Sequence, residues 1–123
     1  MLDKLKLQGK RLIVATSKPE IYSEKILKHF DLYGYFDFLA GATFDETRVK
    51  KNDVIEYAIK SCGIKDMSSV VMIGDRKHDV EGALCFGIDS IGVLWGYGGR
   101  EELETAGATY IAEKVEDILN IVN

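Results

Sequence analysis

The chain predicts an α/β fold in which a parallel sheet carries helices on both faces. Three observations lead there. Short apolar runs alternate with stretches of helical period along the whole length. The first run, Leu12-Ile13-Val14-Ala15, is continuous rather than alternating, as in a strand covered on both sides. Two of the runs end in reactive polar residues, Thr16-Ser17-Lys18-Pro19 and Gly74-Asp75, and open parallel sheets place their functional groups at that strand end.

Each element has a local reason. Leu2 and Leu5 mark one stripe of a short opening helix, and Gly9 can end it in the left-handed conformation. Arg11 to Ala15 reads as the first strand. Pro19 suits the first turn of the next helix, whose buried side would be Tyr22, Ile26, Leu27 and Phe30. Phe36 to Ala40 reads as the second strand, ending at Gly41, and a polar loop runs from Ala42 to Lys50. Asn52 or Asp53 can cap a helix carrying Val54, Ile55, Ala58 and Ile59, with Gly63 past its end. Ser69 to Ile73 is the third strand, followed by a helix lined by Val80, Ala83, Leu84 and Cys85 that stops near Gly87. Ser90 to Leu94 is the fourth strand and opens into Gly96-Tyr97-Gly98-Gly99. Arg100 to Ala106 reads as a short helix, Tyr110 to Ala112 as an edge strand, and Val115, Ile118, Leu119 and Val122 as the stripe of a closing helix.

Composition narrows the function classes. The length of 123 residues suits one domain, residues 1–123, with no repeat, linker or low-complexity segment. Apolar residues make up 46% and charged residues 29%, which argues against disorder. A net charge of −4 gives no basic field for nucleic acid. No apolar run approaches the roughly 18 residues of a membrane span, and the first ten residues do not resemble a signal peptide. Cys62 and Cys85 have neither metal nor redox spacing and read as reduced, packed thiols of a cytoplasmic protein.

The candidate chemistry sits in four places. Asp75, at a strand end behind a flexible Gly, suits Mg²⁺, which takes one or two carboxylates plus phosphate oxygens and waters. Asp79, one helical turn on, can hold a metal-bound water or orient Asp75. The competing reading makes Asp75 a helix cap and Asp79 a solvated first-turn acid. Thr16 can give its hydroxyl to a phosphate oxygen and Ser17 its backbone N–H, with a helix N-cap as the alternative. Lys51 can neutralise phosphoryl and carboxylate charge, and Lys50 competes with it for that role. With the strands parallel, Thr16, Lys51 and Asp75 are expected at one edge of the sheet. His29 and His78 read as bland, and Trp95 and Tyr97 as packing or rim residues. The glycine loop lacks dinucleotide-fingerprint spacing, and no GxxxxGK phosphate loop occurs.

The order Leu-Ile-Val-Ala-Thr16, then Lys51, then Ile-Gly-Asp75-Arg-Lys-His-Asp79 resembles the second, third and fourth motifs of the haloacid dehalogenase superfamily. The Trp95-Gly96-Tyr97-Gly98 loop and the region around Glu101, Leu103 and Ala106 to Ala108 are similar to its phosphoglycolate phosphatase-like branch. The resemblance implies a Rossmann-like three-layer core and Mg²⁺-dependent hydrolysis of phosphomonoesters through an aspartyl-phosphate. It also implies a small phosphorylated metabolite as substrate. Thr16 and Ser17 would hold the phosphate, Lys51 would stabilise charge, and Asp75 would bind Mg²⁺ with Asp79 in support.

One departure stands out. The family's first motif, a strand ending in Asp-x-Asp-Gly-Thr, is absent, and so is the cap domain that chooses the substrate. Asp3 lies in a helical pattern, Phe36-Asp37-Phe38 supplies one Asp, and Asp45 follows no strand. The resemblance therefore implies a core that is incomplete or inactive on its own, lacking the strand between those ending at Thr16 and Asp75. Unpaired strand edges would then favour self-association. The other readings are a noncatalytic remnant that binds phosphate or a partner protein, and one subunit of a split phosphatase.

Overall fold

A computed structural model describes residues 2–43, 48 and 50–122. Contacts divide the chain into two compact units, Met1–Ile64 and Lys65–Asn123.

In the first unit, α1 (Leu2–Leu7) leads to β1 (Ile13–Pro19), α2 (Glu20–His29), a 3₁₀ turn (Tyr33–Tyr35), β2 (Phe38–Ala42) and α3 (Lys51–Ser61). The two strands pair in parallel, Ile13 opposite Phe38 and Ala15 opposite Ala40. Period-two alternation puts these four residues on one face, where Val54, Ala58 and Tyr57 of α3 pack on them. The opposite face belongs to α2. Gly41 lies there so close to the first residue of α2 that a Cβ would come within 2.6 Å of Glu20 Cα. The sheet is therefore covered on both sides.

The second unit runs through a 3₁₀ turn (Met67–Ser69), β3 (Val71–Gly74), α4 (Lys77–Cys85), β4 (Asp89–Val93), α5 (Arg100–Ala106), β5 (Tyr110–Ala112) and α6 (Val115–Val122). Its three strands are parallel, with β4 in the middle. Ile91, Val93 and Ala112 meet Ile118 of α6 in one buried cluster. On the other face Gly92 leaves room for Leu103 of α5, which is fully buried. Among the described residues β1 pairs only with β2, and β3 only with β4.

Several expectations shift. β1 begins at Ile13 and continues to Pro19, and it is half-buried rather than enclosed, with Ser17 and Lys18 exposed. β2 and β3 begin two residues later than expected. Pro19 is the N-cap of α2 rather than part of its first turn. The side of α2 expected inside is largely outside: Tyr22, Ile26 and Phe30 are exposed, and Ser23 is the buried residue. The reason is the approach at Gly41, which turns Glu20, and with it Ser23 and Leu27 at helical spacing, toward the strands. Neither Asn52 nor Asp53 caps α3, because Lys50 is the N-cap and helix begins at Lys51. Leu84 and Cys85 at the end of α4 are exposed, so the Cys85 thiol is not packed as expected, while Val80 and Ala83 are buried as expected. Gly9, Gly63 and Gly87 follow their helices at positive φ.

Candidate functional site

In the first unit Thr16 lies near the carboxyl end of β1, and the start of α3 comes to meet it. Lys51 is the first residue of α3, and its Nζ donates to the Ala15 carbonyl at 2.5 Å. That bond ties the lysine to the residue just before Thr16. Lys50, one position earlier, is exposed. The Thr16 hydroxyl accepts the Lys18 N–H at 3.2 Å, closing a small local turn. Helix begins only at Glu20, so Thr16 is not its cap. Ser17 is exposed on the same strand.

Arg48 anchors the connection leading to Lys51, and sequence reasoning overlooked it. Its Nε donates to the Gly41 carbonyl at 2.8 Å and its Nη2 to Glu20 Oε2 at 3.3 Å. The guanidinium lies 3.6 Å from the centre of the Tyr57 ring, a stacking geometry that arginine tolerates and lysine does not reproduce. The backbones of Thr43 and Arg48 close the loop at 2.8 Å. Most of the polar loop expected over 42–50, including Asp45, lies outside the described residues.

In the second unit the two acids meet at the end of β3. Asp75 follows the last strand residue, and Asp79 lies in the first turn of α4. Asp79 Oδ2 accepts the N–H groups of Asp75 and Arg76 at 3.2 and 3.3 Å, so Asp79 ties down the strand-to-helix turn. Asp75 is not the helix cap, since Arg76 occupies that position. Asp75 instead receives the Tyr97 N–H on Oδ2 at 2.9 Å, and the Gly98 N–H on its carbonyl at 2.9 Å. Glu102 of α5 supports the same turn, accepting from Arg76 Nε at 3.0 Å and from the Lys77 N–H at 3.1 Å. Nothing in the sequence pointed to Glu102. The visible sequence signal for this contact is the glycine pair at 96 and 98, shortly after β4, which entered the resemblance to the phosphoglycolate phosphatase-like branch but not as a support for Asp75. His78, Trp95 and Tyr97 are exposed at the rim.

The donor chemistry here fits a hard cation. Among the described residues no three His, Cys, Asp or Glu side chains come together. One or two carboxylates at a strand end are the usual protein share for Mg²⁺.

Three carboxylates that hold local structure ionise more readily than usual. Asp37 is held down by the Lys6 ammonium, then by the Leu12 N–H; Glu102 by Arg76, then the Lys77 N–H; Asp66 by the Ser68 hydroxyl and N–H. A depressed folded-state pKa stabilises the fold above the unfolded pKa of about 4, and that contribution is lost as pH falls through the folded value. Thermal midpoints from circular dichroism should therefore be flat above about pH 5 and drop below pH 4. In the Asp37→Asn, Glu102→Gln double variant that drop should be visibly shallower. An unchanged profile would remove these two groups from the account.

Comparisons with known proteins give the family and the fold. A family model described as haloacid dehalogenase-like hydrolase matches residues 1–93. The tyrosine-protein kinase PtkA of Mycobacterium tuberculosis is 39% identical over 112 residues, which cover 90% of this chain and 38% of that protein. A 5′-nucleotidase of Pseudomonas aeruginosa is 36% identical over 110 residues, covering 89% of this chain and 49% of that protein. A phosphoglycolate phosphatase of Colwellia psychrerythraea is 30% identical over 115 residues, covering 94% and 50%. The crystal structure of a candidate phosphatase from Clostridium difficile superposes with a TM-score of 0.94 at 51% identity, over 99% of this chain and 57% of that one. The chain thus spans about half the length of most of these proteins, and less of PtkA. It has the parallel α/β, Rossmann-like architecture of its structural neighbours and belongs to the haloacid dehalogenase-like hydrolases, with phosphatases prominent among its relatives.

Proposed function

We propose that this chain is the phosphate- and metal-handling part of a Mg²⁺-dependent phosphomonoester hydrolase of the phosphoglycolate phosphatase type, acting on a small phosphorylated metabolite in the cytoplasm. Thr16 gives its hydroxyl, and Ser17 its backbone N–H, to the phosphate. The Lys51 ammonium neutralises charge on the phosphoryl group. Asp75 holds the cation, and Asp79 keeps the Asp75 backbone in place. A bound Mg²⁺ supplies charge neutralisation at phosphate oxygens.

The observation that carries the reading is the state of Asp75. Its N–H, its carbonyl and one carboxylate oxygen are all engaged by Asp79 and the 97–98 backbone. A carboxylate serving only as a surface acid needs no such restraint. The tie between Lys51 and Ala15 supports the phosphate side in the same way, because it brings an ammonium group beside the hydroxyl-bearing strand end.

No Asp-x-Asp follows a strand in this sequence, so the chain is expected to bind rather than turn over by itself. Noncatalytic phosphate or protein binding, and membership of a split phosphatase, are the alternatives for a chain that binds without turnover. Among the described residues β1 and β3 each pair on one side only, and such strand edges favour association between copies.

Calorimetric titration with inorganic phosphate in the presence of Mg²⁺ tests the proposal. Saturable binding is expected, with Lys51→Met and Thr16→Ala each weakening it about tenfold or more, as loss of a charged or hydroxyl donor does. Binding that ignores both substitutions would refute the assignment.

A further inference from the structure

The loop that follows β4 does little with its side chains. Tyr97 is 93% exposed and Trp95 about half exposed. Its main chain, by contrast, lies against Asp75. A Cβ at Gly96 would overlap the Asp75 side chain, and one at Gly98 would overlap the Asp75 carbonyl and come within 2.6 Å of Glu102 Oε2. At Gly99 there is open space. Two of the three glycines are therefore required for close approach to one residue, and the third is not.

Around Asp75 this approach leaves one group over. The N–H goes to Asp79, the carbonyl to Gly98, and Oδ2 to the Tyr97 N–H. Oδ1 accepts no hydrogen bond from a described residue. An amide donated to one oxygen of a carboxylate fixes its rotamer and is a strong, charge-assisted bond.

We propose that the Trp95–Gly98 segment is a main-chain clasp that positions Asp75, holding Oδ2 through the Tyr97 N–H and presenting Oδ1 to a divalent cation. The inference rests on the metal reading of Asp75 and deepens it. Gly96, Tyr97 and Gly98 are positioning residues, since they act through Asp75 and not on the cation. Groups that orient a metal ligand typically change metal affinity by about 10- to 100-fold.

The test uses the 123-residue chain labelled with ¹⁵N, with MgCl₂ as the only added ligand. Without metal, the Tyr97 amide should exchange slowly for a residue so exposed, and Asp75→Ala should release it. Affinity is then read from amide shifts and from emission of Trp95, the one tryptophan. Gly98→Ala and Gly96→Ala should each weaken Mg²⁺ binding by about 10- to 100-fold. Gly99→Ala should leave it unchanged, which separates the clasp from general stiffening of the loop. A Tyr97 amide that exchanges freely in the parent chain would overturn the clasp whatever the metal does. Equal affinity in the parent and both alanine variants would overturn it while leaving Asp75 as a ligand. If the parent chain binds no Mg²⁺, the metal reading falls, and the positioning role falls with it even where the Tyr97 amide is protected. Should Gly98→Ala fail to fold, Gly96→Ala and the exchange measurement still decide.

Discussion

Aryl-phosphate hydrolysis by the isolated 123-residue chain with Mg²⁺ is expected to be close to background. Removing a covalent nucleophile lowers turnover by roughly a million-fold in subtilisin, and a comparable deficit is expected here. Two of the acids weighed for that role in the sequence are engaged in local structure. Asp3 is in α1, where its own carboxylate accepts the Lys4 N–H. Asp37 precedes β2 and is fully occupied by Lys6 and the Leu12 N–H at 2.8 to 2.9 Å. Joining the chain to a preceding segment that ends a strand in Asp-x-Asp should restore turnover. In that joined protein Asp75→Asn should remove most of it, because one negative charge would be lost at the proposed cation ligand. Robust turnover by the isolated chain that disappears in Asp75→Asn would show that the nucleophile is already present. Translating the DNA upstream of Met1 is the cheapest companion observation.

Leu103→Ala should have the largest effect on stability. Leu103 is fully buried and packs into the space that Gly92 leaves on β4. Replacing a buried leucine with alanine costs about 2 to 5 kcal/mol, the removed transfer energy plus the cavity left behind. That is a large share of the roughly 5 to 15 kcal/mol by which domains are stable. The consequence reaches the Asp75 turn, because the next residue back, Glu102, holds both Arg76 and the Lys77 N–H. Denaturant unfolding should show a lower midpoint with an unchanged slope. Amide shifts of Arg76 and Lys77 should move in the folded variant. A loss below about 1 kcal/mol would mean that Leu103 is not the anchor of α5.

The two ends of the chain were read with different success, for physical reasons. Arg100–Ala106 and Tyr110–Ala112 match their expected bounds, and the closing helix spans its expected stripe. There the apolar period, the left-handed Gly107 and the short strand leave little competition between local and long-range preference. On α2 the same kind of reasoning chose the wrong face. Aromatic and branched residues at Tyr22, Ile26 and Phe30 form a convincing stripe, yet the contact at Gly41 settles the helix's rotation. A pattern of side chains cannot register a constraint set by a missing one.

The sequence by itself determined the alternation of strand and helix, the parallel α/β class, and which acids and lysines stand at strand and helix ends. Those follow from periodicity and from residue types whose preferences act over a few positions. Only the tertiary structure decided that Lys51 rather than Lys50 reaches Ala15, that Asp79 braces the turn, and that backbone amides 22 and 23 residues away hold Asp75. Hydrogen bonds from main-chain N–H groups carry no residue-type signature, so their partners become visible only once the chain has folded.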